Sequence, residues 1–464
     1  MIESIEILPP LGFGRVGPSR TPCDGYTWGP NDLHPRGTGK TTIRPAETLA
    51  VAADGTVTGS VPATVTFKDA TGWRPVAPFF ELHGRWTLNG RTESGPLTAD
   101  VLAASGLSPG DLRWRIEVAN LKAFHYTLDD GDRVAATLEL RGDDTAVHPL
   151  PGVSPSGAGR PLVPAGRNVP LGAVQVTRPT AEFPELRIRF TPAAGNVYGP
   201  ADLPQRSSAF VLPADRLILD PQATWCGFRL TGDPRTNPGG LFAGGADQES
   251  LGLVDDVCDG LIRCTLPGVG TAVARIVVGP PDFAPDRRPF TSIADGLTDR
   301  VRREDVHDPS YVADEETTTR EVQDLLERVL ETMENVNVDA QNDRARAENA
   351  AIARARSLPE ADAEGATFDL PGSILSRTLP LTEAGRQRHR RFLALEVMED
   401  LLREQPDLID RVVRAPATDD RYYDRRMPAM MRGSDRYPMH LTRRQFDLLQ
   451  QWARQLRSRI EEGT

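Results

Sequence analysis

The sequence predicts an α+β protein, in which a large antiparallel β-rich domain at residues 1–300 is followed by a smaller, mainly α-helical domain at residues 301–464. Three observations lead to this prediction. Apolar residues alternate with polar ones in several short segments before residue 300. After about residue 310 they recur at helical spacing instead. Most of the 41 glycines and 40 prolines lie before residue 300, where they separate the short segments as turn residues do.

Four segments show the period-two alternation that is typical of a strand with one buried and one wet face: residues 61–67, 113–118, 134–140 and 186–190. Residues 273–279 (VARIVVG) are more continuously apolar, which predicts a strand covered on both faces. Because clusters of turn residues separate these segments, we expect a sandwich or a barrel-like sheet.

Residues 322–333 place apolar side chains on one face of an amphipathic helix, and residues 392–402 predict another helix. A further helix is predicted to begin at Thr442, because Thr442 and Gln445 have the spacing of a capping box. Its apolar positions form a stripe that we expect to be buried: Phe446, Leu449, Trp452 and Leu456. Residues 357–380 are predicted to form a flexible loop.

Composition and charge argue against several classes of protein. The net charge is −11, and no basic stripe interleaved with aromatic residues indicates a nucleic-acid partner. The four cysteines are too few and too scattered for a disulfide framework or a zinc site. No stretch approaches the roughly 18 apolar residues of a membrane span. Acidic residues also stand where a signal peptide needs positive charge, so we expect a cytoplasmic protein.

Residues 34–42 (HPRGTGKTT) contain the GTGKT core of a phosphate-binding loop. The complete motif requires a glycine where this sequence has His34, as well as a preceding buried strand and a following helix. The residues before the motif are turn-like, and Pro45 follows Thr41 too closely for a long helix. We therefore interpret this segment as a glycine-rich loop with an exposed Lys40 and predict no nucleotide binding.

Three side chains are candidates for binding a ligand: His125, Asp255 and Asp256. The adjacent carboxylates could bind an amine or a cation, although turn formation is the simpler explanation of an acidic pair. His125 stands among aromatic residues, where a histidine is more often a hydrogen-bonded packing residue than a catalyst. No motif identifies a catalytic residue, and no His and Cys cluster has the spacing of a metal site.

Eight blocks occur in the same order as in a known family, and it is this shared order that is specific. The three strongest blocks are GLVDDVCDGLIRCTL at 252–266, ARIVVGPPDFAP at 274–285 and MHLTRRQFDLLQQWA at 439–453. The other five lie at 5–19, 67–84, 114–126, 325–337 and 427–435. Together they resemble the quinone-dependent amino-acid oxidases that include lysine ε-oxidase (L-lysine 6-oxidase) and glycine oxidase. In the first block we expect Gly12, Gly14 and Gly17 to permit tight backbone turns.

The family's cofactor is cysteine tryptophylquinone, which forms from a Cys and a Trp beyond the block matched by residues 439–453. Only ARQLRSRIEEGT follows Trp452 in this sequence, without Cys or Trp. Trp225 and Cys226 are neighbours but match no quinone position of the family. The resemblance therefore implies that this chain forms no quinone, and no cofactor is predicted for it.

Three functions remain open. The chain could be a subunit related to the amino-acid oxidases that acts with a partner chain supplying the quinone segment. It could be a non-catalytic scaffold or binding protein of the same fold. It could also be an enzyme that uses a metal or another cofactor. We expect a homo-oligomer or a second chain to complete the fold, because the family's later segment would cover the stripe on the final helix.

We predict that neither the wild-type protein nor the Lys40→Ala variant binds ATP, because the segment lacks the complete phosphate-binding motif. Titration calorimetry with MgATP on both proteins is the measurement. A measurable ATP affinity that Lys40→Ala abolishes would show that the segment is a genuine phosphate-binding loop.

Overall fold

The computed structural model describes residues 1–31, 41–229, 249–282, 285–307, 314–334 and 440–461, with short pieces at 405, 408–409, 413, 415–416, 431–432 and 437–438. The predicted helix at 392–402, the predicted loop at 357–380 and most of the GTGKT segment lie outside the described residues. Two compact units are distinguished: residues 1–27 with 44–283, and residues 28–43 with 284–464.

Strands dominate the chain up to residue 279. In order, they are β1 (Ile2–Leu8), β2 (Leu11–Arg15), β3 (Tyr26–Asn31), β4 (Thr41–Pro45), β5 (Thr48–Val51), β6 (Val57–Ser60), β7 (Lys68–Asp69), β8 (Gly72–Trp73), β9 (Phe79–Leu88), β10 (Arg91–Pro96), β11 (Arg113–Asn120), β12 (Val134–Arg141), β13 (His148–Gly152), β14 (Val169–Val176), β15 (Arg187–Thr191), β16 (Val197–Pro200), β17 (Leu217–Leu219), β18 (Cys226–Arg229), β19 (Glu249–Leu251), β20 (Val254–Asp255), β21 (Asp259–Leu266) and β22 (Gly270–Gly279).

Helices are short in this part of the chain and longer after it. They are α1 (Ala99–Ala104), α2 (Lys122–Thr127), α3 (Leu203–Arg206), α4 (Ile293–His307), α5 (Glu315–Glu334) and α6 (Arg443–Glu461). Two short strands, β23 (Met431–Arg432) and β24 (Tyr437–Pro438), pair before α6. The predicted α+β class is confirmed: a β-rich part is followed by a smaller helical part.

Two large sheets form the core of the first unit. One has six strands in the order β1-β9-β15-β14-β13, with β10 also paired to β9, and the other has five in the order β12-β11-β21-β22-β2. All pairs in these sheets are antiparallel except β2 with β22, which is parallel. The buried side chains of both sheets belong to one hydrophobic core. Fully buried members include Phe80, Phe190, Trp114, Ile262 and Ile276.

Three of the four alternating segments are confirmed as strands: 113–118 lies in β11, 134–140 in β12 and 186–190 largely in β15. The prediction for residues 61–67 is wrong, since no strand is formed there. The backbone of Thr66 is bonded by side chains instead: its carbonyl accepts from Arg74 Nη1 at 3.1 Å and its N–H donates to Asp24 Oδ2 at 3.4 Å. Alternation of apolar residues was therefore not enough to predict that this segment pairs with another strand.

Two other expectations are corrected. Residues 273–279 form β22, but only one face is covered, because Val273 is 48% and Val277 39% exposed. Gly12 and Gly14 lie inside β2 and not in a turn. A Cβ at Gly12 would come within 2.5 Å of the Phe80 ring, so glycine is required there for close packing between the two sheets.

The helical predictions are confirmed where the structure describes them. α5 buries Val322, Leu325, Leu326 and Val329 on one face. At the start of α6, the Gln445 N–H donates to Thr442 Oγ1 at 3.1 Å and the Thr442 N–H donates to Gln445 Oε1 at 2.9 Å, which is the predicted capping box. Leu449, Trp452 and Leu456 are buried within the chain, whereas Phe446 is half-buried. Three of the four stripe residues are thus covered by the chain itself.

We expect Ile276→Ala to lower the free energy of unfolding of the first unit by about 2–5 kcal/mol, because the fully buried side chain leaves a cavity in the core. Val277→Ala is the matched control on the same strand, and it should cost less than about 1 kcal/mol because its side chain faces outward. Urea denaturation followed by circular dichroism measures both, and equal losses would contradict the assigned faces of β22.

Candidate functional site

Two segments that are far apart in sequence meet at one end of the second sheet. β11 ends at Asn120 and leads into α2, while β20 ends at Asp255 shortly before β21 begins. β11 and β21 are antiparallel neighbours, with Ala119 opposite Asp259. The end of one strand therefore lies beside the start of the other. These segments belong to the blocks at 114–126 and 252–266.

A cluster of Asn120, Lys122 and Asp255 joins the two segments. The Asn120 side-chain amide donates to the carbonyl of Asp255 at 2.9 Å and to its Oδ1 at 2.8 Å. Lys122 Nζ forms an ion pair with Asp255 Oδ2 at 2.5 Å, and the Lys122 N–H donates to Asn120 Oδ1 at 3.1 Å. Asn120 is only 4% exposed. The side chains of Lys122 and Asp255 remain 40% and 34% exposed, so opposite charges lie side by side at the surface.

Asp256 has a different environment from its neighbour. Its Oδ2 accepts the backbone N–H groups of Gly195 at 3.1 Å and Asn196 at 2.8 Å, and the side chain is buried. Burial raises the pKa of this carboxyl to about 6, and the two backbone donors lower it only in part. Its Oδ1 has no hydrogen-bond partner among the described residues. Asp256 therefore fixes the turn before β16 and can carry a proton near neutral pH.

The three predicted binding residues are not brought together. His125 is exposed on α2, where its ring meets the Tyr126 ring edge-on with 5.5 Å between centroids. Within the described part of the chain, His125 bonds to neither Asp255 nor Asp256. Asp255 faces Lys122, whereas Asp256 is turned into the protein. The three side chains therefore have different surroundings in the described part of the chain.

An aromatic cluster packs against α2. The Tyr126 ring lies 5.6 Å from Trp225 and 6.2 Å from Phe228, and the last two rings stack at 6.3 Å. Trp225 Nε1 donates to the carbonyl of Leu253 at 3.0 Å, and the Trp225 N–H donates to the buried Asp132 at 3.3 Å. Burial raises the pKa of the Asp132 carboxyl. These contacts fix the helix that carries Lys122.

Sequence reasoning missed Asn120, Lys122, Tyr126 and Asp132 as parts of this region. The available signal was the run AN-x-KAFHY, in which polar residues follow directly on a buried alternating strand. A polar residue at the end of such a strand is positioned by the sheet and is therefore a stronger candidate than an isolated histidine.

The four cysteines of the sequence all lie within the described residues, and none has a free, exposed thiol beside an accessible Trp ring. Burial raises the pKa of every one of these thiols, to about 12 for Cys226 and Cys258. Cys264 stands opposite Trp114 across the β11–β21 pair, but both side chains are buried in the core. A substrate would have no access there. Thiol chemistry is disfavoured at all four positions, because the thiolate is the nucleophile.

Two further features are absent from the described residues. No group of three or more His, Cys, Asp or Glu side chains is arranged there to hold a metal ion. None of the described helices is long and apolar enough to cross a membrane.

Comparison with known proteins gave matches only among solved structures. No protein-family model matches the sequence, and no curated protein matches it significantly. Two structures of the L-Lys ε-oxidase from Marinomonas mediterranea are similar at 15% identity, with TM-scores of 0.43 and 0.44 over 97% and 98% of this chain. A third, described as its Schiff base intermediate with L-Lys, gives a TM-score of 0.40 over 84% of this chain at 15% identity. The chain spans about 60% of the length of these structures.

We predict that Asp256→Asn changes how stability depends on pH. The folded pKa of Asp256 is raised to about 6 from an ordinary 3.8, so its contribution to stability is fully present below about pH 4 and is lost as pH rises through 6. The loss amounts to about 3 kcal/mol for a buried group. The Asp256→Asn variant does not titrate at this position and retains an oxygen for both backbone donors, so it should become more stable relative to wild type over this interval.

Urea unfolding at pH 4, 5, 6 and 7 measures this difference. Asp259→Asn removes an exposed carboxylate from the same block, residues 252–266, and controls for the change in net charge. A constant difference between wild type and Asp256→Asn across the series would contradict the assignment.

Proposed function

We propose that this chain is a subunit of a quinone-dependent amino-acid oxidase, and that a second polypeptide segment supplies the Cys and Trp of the quinone. The observation that carries the proposal is the Asn120–Lys122–Asp255 cluster. It joins two blocks that resemble the lysine and glycine oxidase family, and it does so through hydrogen bonds between residues 135 positions apart. The resemblance thus extends to residues that act together.

The exposed ion pair fits the chemical class of the substrate. An amino acid carries an ammonium and a carboxylate at neutral pH, and Lys122 and Asp255 present the two complementary charges 2.5 Å apart. Asn120 and the aromatic cluster around Tyr126 hold these charges in place. In this proposal Lys122 and Asp255 bind and orient the amino acid, and the quinone of the second segment would supply the oxidising group.

The cysteine environments support the second part of the proposal. Each thiol in this sequence is either buried or half-buried with a raised pKa, so none offers a reactive thiolate beside an accessible Trp. A quinone in this oxidase would therefore use residues other than these four cysteines.

One observation favours a non-catalytic scaffold as the second candidate. Asp255 accepts hydrogen bonds from Asn120 and pairs with Lys122, so its oxygens already have partners without a substrate. A scaffold needs only this cross-link. The two candidates differ in whether an assembly that contains this chain oxidises amino acids.

The test is a purification from the source organism with an affinity tag on this chain. We expect the chain alone to be colourless and inactive on lysine and glycine, while the native assembly contains a different polypeptide that stains for a quinone and releases hydrogen peroxide with an amino acid. A quinone-positive band at the mass of this chain would contradict the proposal, and an assembly without any quinone-positive polypeptide would favour the scaffold.

Variants of the assembly sharpen the test. Single replacements of Cys23, Cys226, Cys258 and Cys264 by Ala should retain the quinone stain in every folded variant.

Lys122→Gln should raise KM for the amino acid about tenfold or more by removing one charged contact. Lys68→Gln is the matched control, because Lys68 is exposed and lies over the Trp73 ring in a different part of the unit.

A further inference from the structure

A cleft of about 520 Å³ lies within the second unit, independent of the site above. It is lined by residues of α4, α5 and the start of α6. Its volume is in the range of small-molecule sites, roughly 300–1,000 Å³. Leu325 and Leu448, both buried, contribute apolar surface, and the remaining lining is mainly charged or hydroxylated.

The acidic side chains of the cleft already have cationic partners. Arg328 pairs with Asp295 through Nη1 at 2.8 Å and with Asp324 through Nε at 2.9 Å. Asp324 also accepts from Arg288 Nη1 at 2.8 Å. Asp295 additionally accepts from the backbone and hydroxyl of Ser292.

Glu321, the third acidic side chain of the lining, also pairs with an arginine. Arg444 Nη1 pairs with Glu321 Oε2 at 2.9 Å. The Arg444 N–H, in the first turn of α6, donates to Asp299 Oδ1 at 2.6 Å. This backbone donor is therefore occupied, and a ligand of the cleft would have to be bound by side chains.

Two arginines of the lining have no acidic partner at hydrogen-bond distance among the described residues. Within the described residues, Arg302 forms no hydrogen bond or ion pair. The Arg320 guanidinium donates only to Thr317 Oγ1, at 3.3 Å. The pKa of Asp314 is lowered mainly by the hydrogen bonds from the N–H and hydroxyl of Thr317, and less by the charge of Arg320. Within the described part of the cleft, Arg302 and Arg320 therefore stand outside the ion pairs that the other charged side chains of the lining form.

We propose that this cleft binds a small organic anion, whose carboxylate or phosphate group is held by Arg302 and Arg320 and whose aliphatic part lies against Leu325 and Leu448. Guanidinium groups bind both kinds of oxyanion in a bidentate manner. The hydroxyls of Thr298 and Thr317 also line the cleft and can donate to the same oxygens.

Titration calorimetry on the full chain tests this proposal, with succinate, inorganic phosphate and uncharged succinamide as probes. We expect succinate or phosphate to bind and succinamide not to bind. Preference for succinate assigns a carboxylate ligand, and preference for phosphate assigns a phosphate ester. The double variant Arg302→Gln/Arg320→Gln should weaken binding at least tenfold, because charged hydrogen bonds are lost.

Arg300→Gln is the matched control, because Arg300 is exposed on the same helix but does not line the cleft. It removes a positive charge nearby and should leave the affinity unchanged. Circular dichroism checks that all variants are folded. The proposal is overturned if neither anion binds at millimolar concentration, or if Arg300→Gln weakens binding as much as the double variant.

Discussion

A buried amide at the end of a strand sets a constraint on the candidate site. Asn120 is 4% exposed, so its side chain must find hydrogen-bond partners inside the protein. It donates twice to Asp255 and accepts once from the Lys122 backbone, which uses most of its bonding capacity. An unmade bond of this kind costs about 1–3 kcal/mol. The start of α2 and the end of β20 are therefore held in one arrangement, and Lys122 meets Asp255 as a consequence.

The sequence predicted the fold class and most regular elements because burial on one face leaves a periodic pattern. The alternation in β11 and the helical spacing in α5 correspond to the side chains that are buried. Prediction failed where bonding depended on distant residues. Arg74 and Asp24 bind the backbone groups of Thr66, and residues 61–67 form no strand although their apolar pattern indicated one. The exposed face of β22 likewise follows from the packing of whole sheets and not from local composition.

The candidate site was predictable only in part. The acidic pair at Asp255 and Asp256 was visible in the sequence, but its two members have opposite environments. One is paired at the surface with Lys122, and the other is buried against the turn at Gly195. Asp255 ends β20 and Asp256 lies in the bend that follows, so the two carboxylates face different surroundings. Lys122 was not predicted as a site residue, because its partner Asp255 lies 133 positions away and only the pairing of β11 with β21 brings the two together.

The net charge of the chain affects the approach of a ligand differently at the two proposed sites. With a net charge of −11, the long-range field of the chain repels anions and attracts cations. The Lys122–Asp255 pair is neutral, so a zwitterionic amino acid meets no electrostatic barrier there. An anion that enters the cleft of the second unit must approach against the overall field. Because exposed charges are screened beyond about 8–10 Å at physiological salt, Arg302 and Arg320 dominate once it is near. Selectivity at that cleft therefore depends on contact geometry. Added salt should speed the approach of the anion, because it screens the repulsive overall field, while it weakens the bound state by screening the contacts with the two arginines.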